Sequence, residues 1–192
     1  LASREDPVRL LNELPDHVLL VMDEAYIEFL TDAIDLLPFV RQGRANLLLM
    51  RTFSKIYGLA GLRLGYGIAA PELIAAFEKV RQPFNINALI QAGALAALDD
   101  DEHLRKTREN NAAGLHFFES AFRLHKLPCV RSHANFILVN VGTGVRVFNE
   151  LQKRGVIARP MAGYGLPEWL RVSIGTPTEN QRCLEALRAV LG

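Results

Sequence analysis

Met50-Arg-Thr-Phe-Ser-Lys-Ile-Tyr-Gly-Leu-Ala-Gly-Leu-Arg-Leu-Gly-Tyr-Gly67 is the stretch around which the chain is organised. An apolar run, Leu47 to Met50, leads into it, and a polar cluster, Arg51 to Lys55, follows at once. Gly58, Gly61 and Gly65 then loosen the backbone before a second apolar run, Leu62 to Ala70, which carries one charge at Arg63. The pattern reads as strand, functional loop, strand. The connection is too short and too glycine-rich for a crossover helix, so the second strand is expected to run antiparallel to the first.

The loop has a definite chemistry. A lysine held against apolar strands loses hydration when charged, and a neutral amine attacks carbonyls and forms Schiff bases. Thr52 and Ser54 offer hydroxyls and Arg63 a planar fork, a set suited to phosphate. An aldehyde-reactive lysine beside a phosphate cradle points to pyridoxal phosphate. Taken alone, Ser54-Lys55 reads more simply as a solvated surface pair. The whole run R-T-F-S-K-x-Y-G-L-A-G-L-R-L-G-Y, however, closely resembles the lysine loop of the fold-type-I pyridoxal-phosphate aminotransferases, and within them the histidinol-phosphate aminotransferase group. The resemblance implies that Lys55 is the catalytic, cofactor-bearing lysine and that Thr52, Ser54 and Arg63 hold the cofactor phosphate.

Composition excludes several classes. The chain has 192 residues, 49% hydrophobic, and a formal net charge of +1 with acids and bases interleaved. That suffices for one core or two small ones, and it provides no nucleic-acid surface. No apolar run approaches the roughly 20 residues of a membrane helix, and no signal peptide is visible. Cys129 and Cys183 lack metal spacing and read as free thiols of a reducing compartment, and the five histidines form no ligand cluster, so no metal is expected.

Upstream, Val18 to Met22 reads as a strand buried on both faces of a parallel sheet, ending at Asp23-Glu-Ala-Tyr26. Ligands of open α/β sheets sit beyond the carboxyl ends of strands, which makes Asp23 a candidate, although a loop acid there is as common. The resemblance assigns Asp23 to the pyridine nitrogen and Tyr26 to the ring hydroxyl oxygen; Glu24 and Glu28 match no role and read as surface or supporting residues. Residues 3–14 read as a helix capped by Ser3, 32–42 as a helix interrupted by Pro38, 72–80 as a helix opened by Pro71, and 88–98 and 102–124 as two more. Beyond them, 136–141, 156–159 and 170–174 read as strands separated by a helix over 145–154, and a last helix runs from Pro177 to Leu191. A charge inside the strand Leu170-Arg-Val-Ser-Ile174 needs a reason. A salt-bridged edge residue is the commoner one, but L-R-V-S-I-G-T matches the family's substrate-carboxylate arginine at Arg171, and I-A-R-P matches a neighbouring arginine at Arg159.

The expected fold is therefore α/β: the rear part of a fold-type-I large domain over residues 1–100 and a small C-terminal α/β domain over 101–192. The resemblance covers the chain but only the C-terminal half or so of a family member. It implies a cytoplasmic homodimer that moves an amino group between L-histidinol phosphate and 2-oxoglutarate or glutamate in histidine biosynthesis, with the 192 residues alone expected to be inactive. Two other readings stay open: a threonine-phosphate decarboxylase, against which Asp23-Glu-Ala-Tyr-Ile-Glu-Phe29 weighs, and a folded fragment without catalysis.

Overall fold

The computed structural model describes residues 6–192, and the chain divides into two compact units, Leu1–Leu104 and Arg105–Gly192. In the first, α1 (Asp6–Glu13) precedes β1 (Leu20–Asp23), a 3-10 turn (Ile27–Phe29), α2 (Leu37–Arg41) and β2 (Leu47–Thr52). A second 3-10 turn (Ala60–Leu62), β3 (Gly65–Ala69), α3 (Pro71–Glu78) and α4 (Ala88–Leu98) follow. The long helix α5 (Asp101–Leu124) begins in this unit and continues in the next. Ser3, expected as the cap of α1, lies outside the described residues. Pro38 does not interrupt a helix but sits in the first turn of α2, where its missing N–H has no partner to lose.

The sheet order is β1-β2-β3, with β1 parallel and β3 antiparallel to β2. The antiparallel return follows as expected from the short glycine-rich connection. Arg63, however, is not inside that strand. It ends the 3-10 turn in the left-handed region (φ 54°), and β3 starts only at Gly65. The expectation of burial on both sheet faces also fails within this chain. Leu47 and Leu49 are fully buried with Leu11 and Leu36 on one face, joined by Leu20, Met22 and Ile68. On the other face Leu48 is buried, but Val21 is 47% and Met50 43% exposed.

The second unit contains β4 (Cys129–Val130), β5 (Phe136–Asn140), α6 (Gly144–Lys153), β6 (Arg159–Pro160), a 3-10 turn (Ala162–Tyr164), β7 (Trp169–Ser173) and α7 (Pro177–Leu191). Its sheet runs β4-β5-β7-β6, antiparallel throughout. Ile137, Val139, Leu170 and Val172 alternate inward and meet Phe118 and Phe122 of α5, Val147 and Leu151 of α6, and Leu184 and Leu187 of α7. Helix α7 starts with a full capping box. Thr176 Oγ1 accepts from the Glu179 N–H, while the Glu179 carboxylate accepts from the Thr176 N–H at 2.7 Å. Both cysteines are free thiols, and burial pushes Cys183 up to about 11, which removes it as a nucleophile near neutral pH. No helix among the described residues is long and apolar enough to cross a membrane.

Candidate active site

The site residues of the first unit gather where β1 and β2 end side by side. Asp23 is the last residue of β1 and pairs in register with Met50. Its exposed carboxylate accepts the Ala25 N–H at 3.1 Å, which closes the turn that delivers Tyr26 to the start of the first 3-10 turn. Thr52 ends β2. Its hydroxyl accepts the Ser54 N–H at 3.0 Å and donates to the Leu64 carbonyl at 3.3 Å, so the loop folds back on itself toward β3. The N–H of Phe53 also donates to Leu64 O, and Leu59 N–H to Phe53 O. Phe53, Ile56 and Tyr57 turn into a buried cluster with Leu64, Ala94 and Leu104. Lys55, between them, is left pointing the other way, with Nζ 5.2 Å from the centroid of the Tyr26 ring. Asp23, Tyr26, Thr52, Ser54 and Lys55 thus share one end of the sheet.

Arg63 reaches this loop through its backbone. Its exposed guanidinium donates to Ala60 O at 2.9 Å, and its left-handed φ costs a non-glycine residue on the order of 1 kcal/mol. A second charged group here was not recognised from sequence. Glu24, read as a surface or supporting residue, is 7% exposed, and its carboxylate accepts from Arg51 Nε at 2.8 Å. Burial pushes the Glu24 carboxyl above its usual value despite the facing guanidinium. This pair ties the residue after Asp23 to the residue before Thr52. The alternation along the two strands puts residues 24 and 51 on the covered face, a signal that period-2 counting could have supplied.

In the second unit, Arg159 and Arg171 are direct register partners on β6 and β7. Two like charges opposite each other are unfavourable without a counter-ion. The Arg171 guanidinium lies over the Phe136 ring, 4.9 Å from its centroid, and its Nε is buried without a hydrogen-bond partner among the described residues. A buried charged donor left unpaired costs free energy. Arg159 itself is exposed.

The α/β fold and this lysine loop define a class, and the aminotransferase class I and II family matches residues 1–187: the chain belongs to that family. Within it, the chain is 56% identical over 179 residues to the histidinol-phosphate aminotransferase of Akkermansia muciniphila, covering 93% of this chain and 49% of that protein. The histidinol-phosphate aminotransferase of Sinorhizobium meliloti, solved in complex with pyridoxal-5'-phosphate, superposes with a TM-score of 0.89 at 30% identity over 98% of this chain and 52% of the other. The L-threonine-O-3-phosphate decarboxylase of Porphyromonas gingivalis reaches 0.82 at 26% identity, over all of this chain and 60% of that one. The chain spans about half the length of the curated relatives it matches.

Proposed function

We propose that the protein is a pyridoxal-phosphate-dependent aminotransferase that moves an amino group between L-histidinol phosphate and 2-oxoglutarate in histidine biosynthesis. The observation that carries the reading is the meeting of Lys55 and Tyr26 beyond the ends of two parallel strands, one of which terminates in Asp23. The donor set fits the cofactor in its chemistry: an amine, a carboxylate, two hydroxyls, a phenol and a guanidinium carried on a strained residue. When bound, pyridoxal phosphate supplies the electron sink for a deprotonated substrate carbon. Lys55 would hold it and, once displaced by the substrate amine, carry the proton from the substrate α-carbon. Asp23 would keep a proton on the ring nitrogen, and Tyr26 would hydrogen-bond the ring hydroxyl oxygen. Ser54 and Arg63 would grip the phosphate. Thr52 would join them by redirecting its hydroxyl from Leu64 O.

Arg171 and Arg159 would take the substrate anion. Histidinol phosphate carries a phosphate-bearing carbon where glutamate carries its α-carboxylate, so one site accepts a carboxylate in one half-reaction and a bulkier, more negative group in the other. A guanidinium fork serves both. The experiment is single-turnover kinetics with each substrate separately on the full-length protein. Arg159→Ala should weaken the histidinol-phosphate half by about 10- to 150-fold, the worth of a charged hydrogen bond, and the glutamate half far less. Equal losses in both halves would make Arg159 structural.

The likeness to the Porphyromonas decarboxylase motivates the second reading; release of carbon dioxide from a phosphorylated amino acid, with no amino transfer, would select it. The same proposal places residues 1–100 in the large cofactor-binding domain and 101–192 in the small one. It makes the working form a cytoplasmic homodimer and the 192 residues alone inactive.

A further inference from the structure

We propose that His103 is a positioning residue for Lys55, an inference that rests on the lysine reading above. His103 stands in the first turn of α5, where its own N–H donates to Asp100 Oδ1 at 2.9 Å and the helix start is thereby fixed. Its ring Nε2 lies 3.0 Å from the carbonyl oxygen of Ile56, the residue after Lys55. A carbonyl only accepts, so Nε2 carries the hydrogen, and the imidazole donates. Ile56 is 1% exposed inside the cluster of Phe53, Tyr57, Leu64, Ala94 and Leu104, where a carbonyl without a donor would be costly.

The bond acts on the backbone that aims the lysine. The carbonyl of Lys55 accepts the Gly58 N–H at 3.0 Å, and the carbonyl of Ile56 accepts from His103. Both peptide planes that follow the Lys55 Cα are therefore held. Gly58 takes a left-handed φ of 71°, and the His103 ring stands 3.7 Å from where a Cβ on Gly58 would be. The ring thus covers the far side of the same turn. Tyr26 meets the amine from the front, while His103 fixes the turn from behind without touching any reacting atom. Catalytic groups need placement to a fraction of an ångström, and a shift of about 1 Å can cost on the order of 100-fold in rate.

The test compares His103→Leu, which keeps bulk without a donor, with His103→Gln, whose amide N–H can reach the position of Nε2. It is made on the full-length protein. Two quantities are read: steady-state kinetics of the cofactor-loaded enzyme, and amide hydrogen exchange of residues 53–58 in the cofactor-free protein. The leucine variant should lose roughly 10- to 100-fold in kcat with KM within about threefold, because placement of a catalytic group is felt in turnover rather than in ground-state binding. Its Gly58 amide should exchange faster. The glutamine variant should restore both. If the leucine variant does not fold, His103→Asn, whose donor is too short to reach Ile56 O, serves the same contrast with glutamine. Unchanged kcat and exchange in the leucine variant, or a glutamine variant as impaired as the leucine one, would overturn the role. A wild-type protein that never takes pyridoxal phosphate onto Lys55 would overturn the functional reading and this inference with it. Labelling of wild-type Lys55 together with indifferent variants would overturn the inference alone.

Discussion

In the second unit, the inward residues of the sheet, Ile137, Val139, Leu170 and Val172, are all buried beneath three helices drawn from the same chain. In the first unit, Leu47 and Leu49 are equally buried, yet Val21 and Met50 on the opposite face of the same strands are nearly half exposed. The burial patterns differ accordingly. In β5, buried Ile137 and Val139 alternate with part-buried Phe136 and Leu138, whereas Leu47, Leu48 and Leu49 of β2 are buried in succession. The second unit therefore carries its own core, and the first carries the lysine loop on a sheet whose second face is only partly covered. Substitutions at the lysine-loop end of the first sheet should act on chemistry, and substitutions in the core of the second unit on folding.

The largest separation is expected at Asp23. Asp23→Asn keeps the shape and the acceptor for the Ala25 N–H but loses the charge. Turnover should fall by about 10³-fold, as when a preorganised group is removed, with the melting temperature unchanged. A near-normal rate would end the ring-nitrogen role.

Leu151→Ala is the converse. The side chain is fully buried between α6 and the second sheet, and its loss should destabilise the protein by about 3 kcal/mol. Denaturant unfolding should report this while activity of the remaining folded protein stays normal. A loss of activity without loss of stability would break the division between the units.

A smaller effect tests the border between the two roles. Glu24→Gln removes the counter-ion of part-buried Arg51 together with the desolvated charge of Glu24 itself, so the two effects should offset to within about 1 kcal/mol at neutral pH. The pH dependence has a definite sign. Because burial raises the folded carboxyl above its ordinary 4.5, the folded state binds the proton more tightly. The stability owed to that proton is complete below 4.5 and is lost as pH rises through the raised folded value. Wild type should therefore gain on the glutamine variant as pH falls through this window. A gap that is flat with pH would mean that Glu24 does not titrate there.

Much of this was readable in the residues, and the failures have physical causes. Antiparallel β3 followed from a short connection, and α3 and α7 from Pro71 and Pro177 at helix starts. Arg159 and Arg171 could be placed on adjacent strands, but not as direct register partners, because register depends on the loop between them. Arg63 reads as a strand residue because its neighbours are apolar; composition does not reveal a left-handed φ. The pair Cys129–Val130 is too short to register as periodic. Glu24 looked like surface because charge usually is; its partner lies 27 residues away. No sequence spacing links His103 to the lysine loop, so its place behind Lys55 is not legible in the residues alone.

The central claim is that Lys55 is the residue on which this fold is used. The full-length protein should be incubated with pyridoxal phosphate, treated with borohydride, digested and mapped by mass. The account predicts one cofactor-bearing peptide containing Lys55, and no such peptide, with no amino transfer, in Lys55→Ala. A label on another lysine, or turnover that survives the alanine substitution, would contradict it.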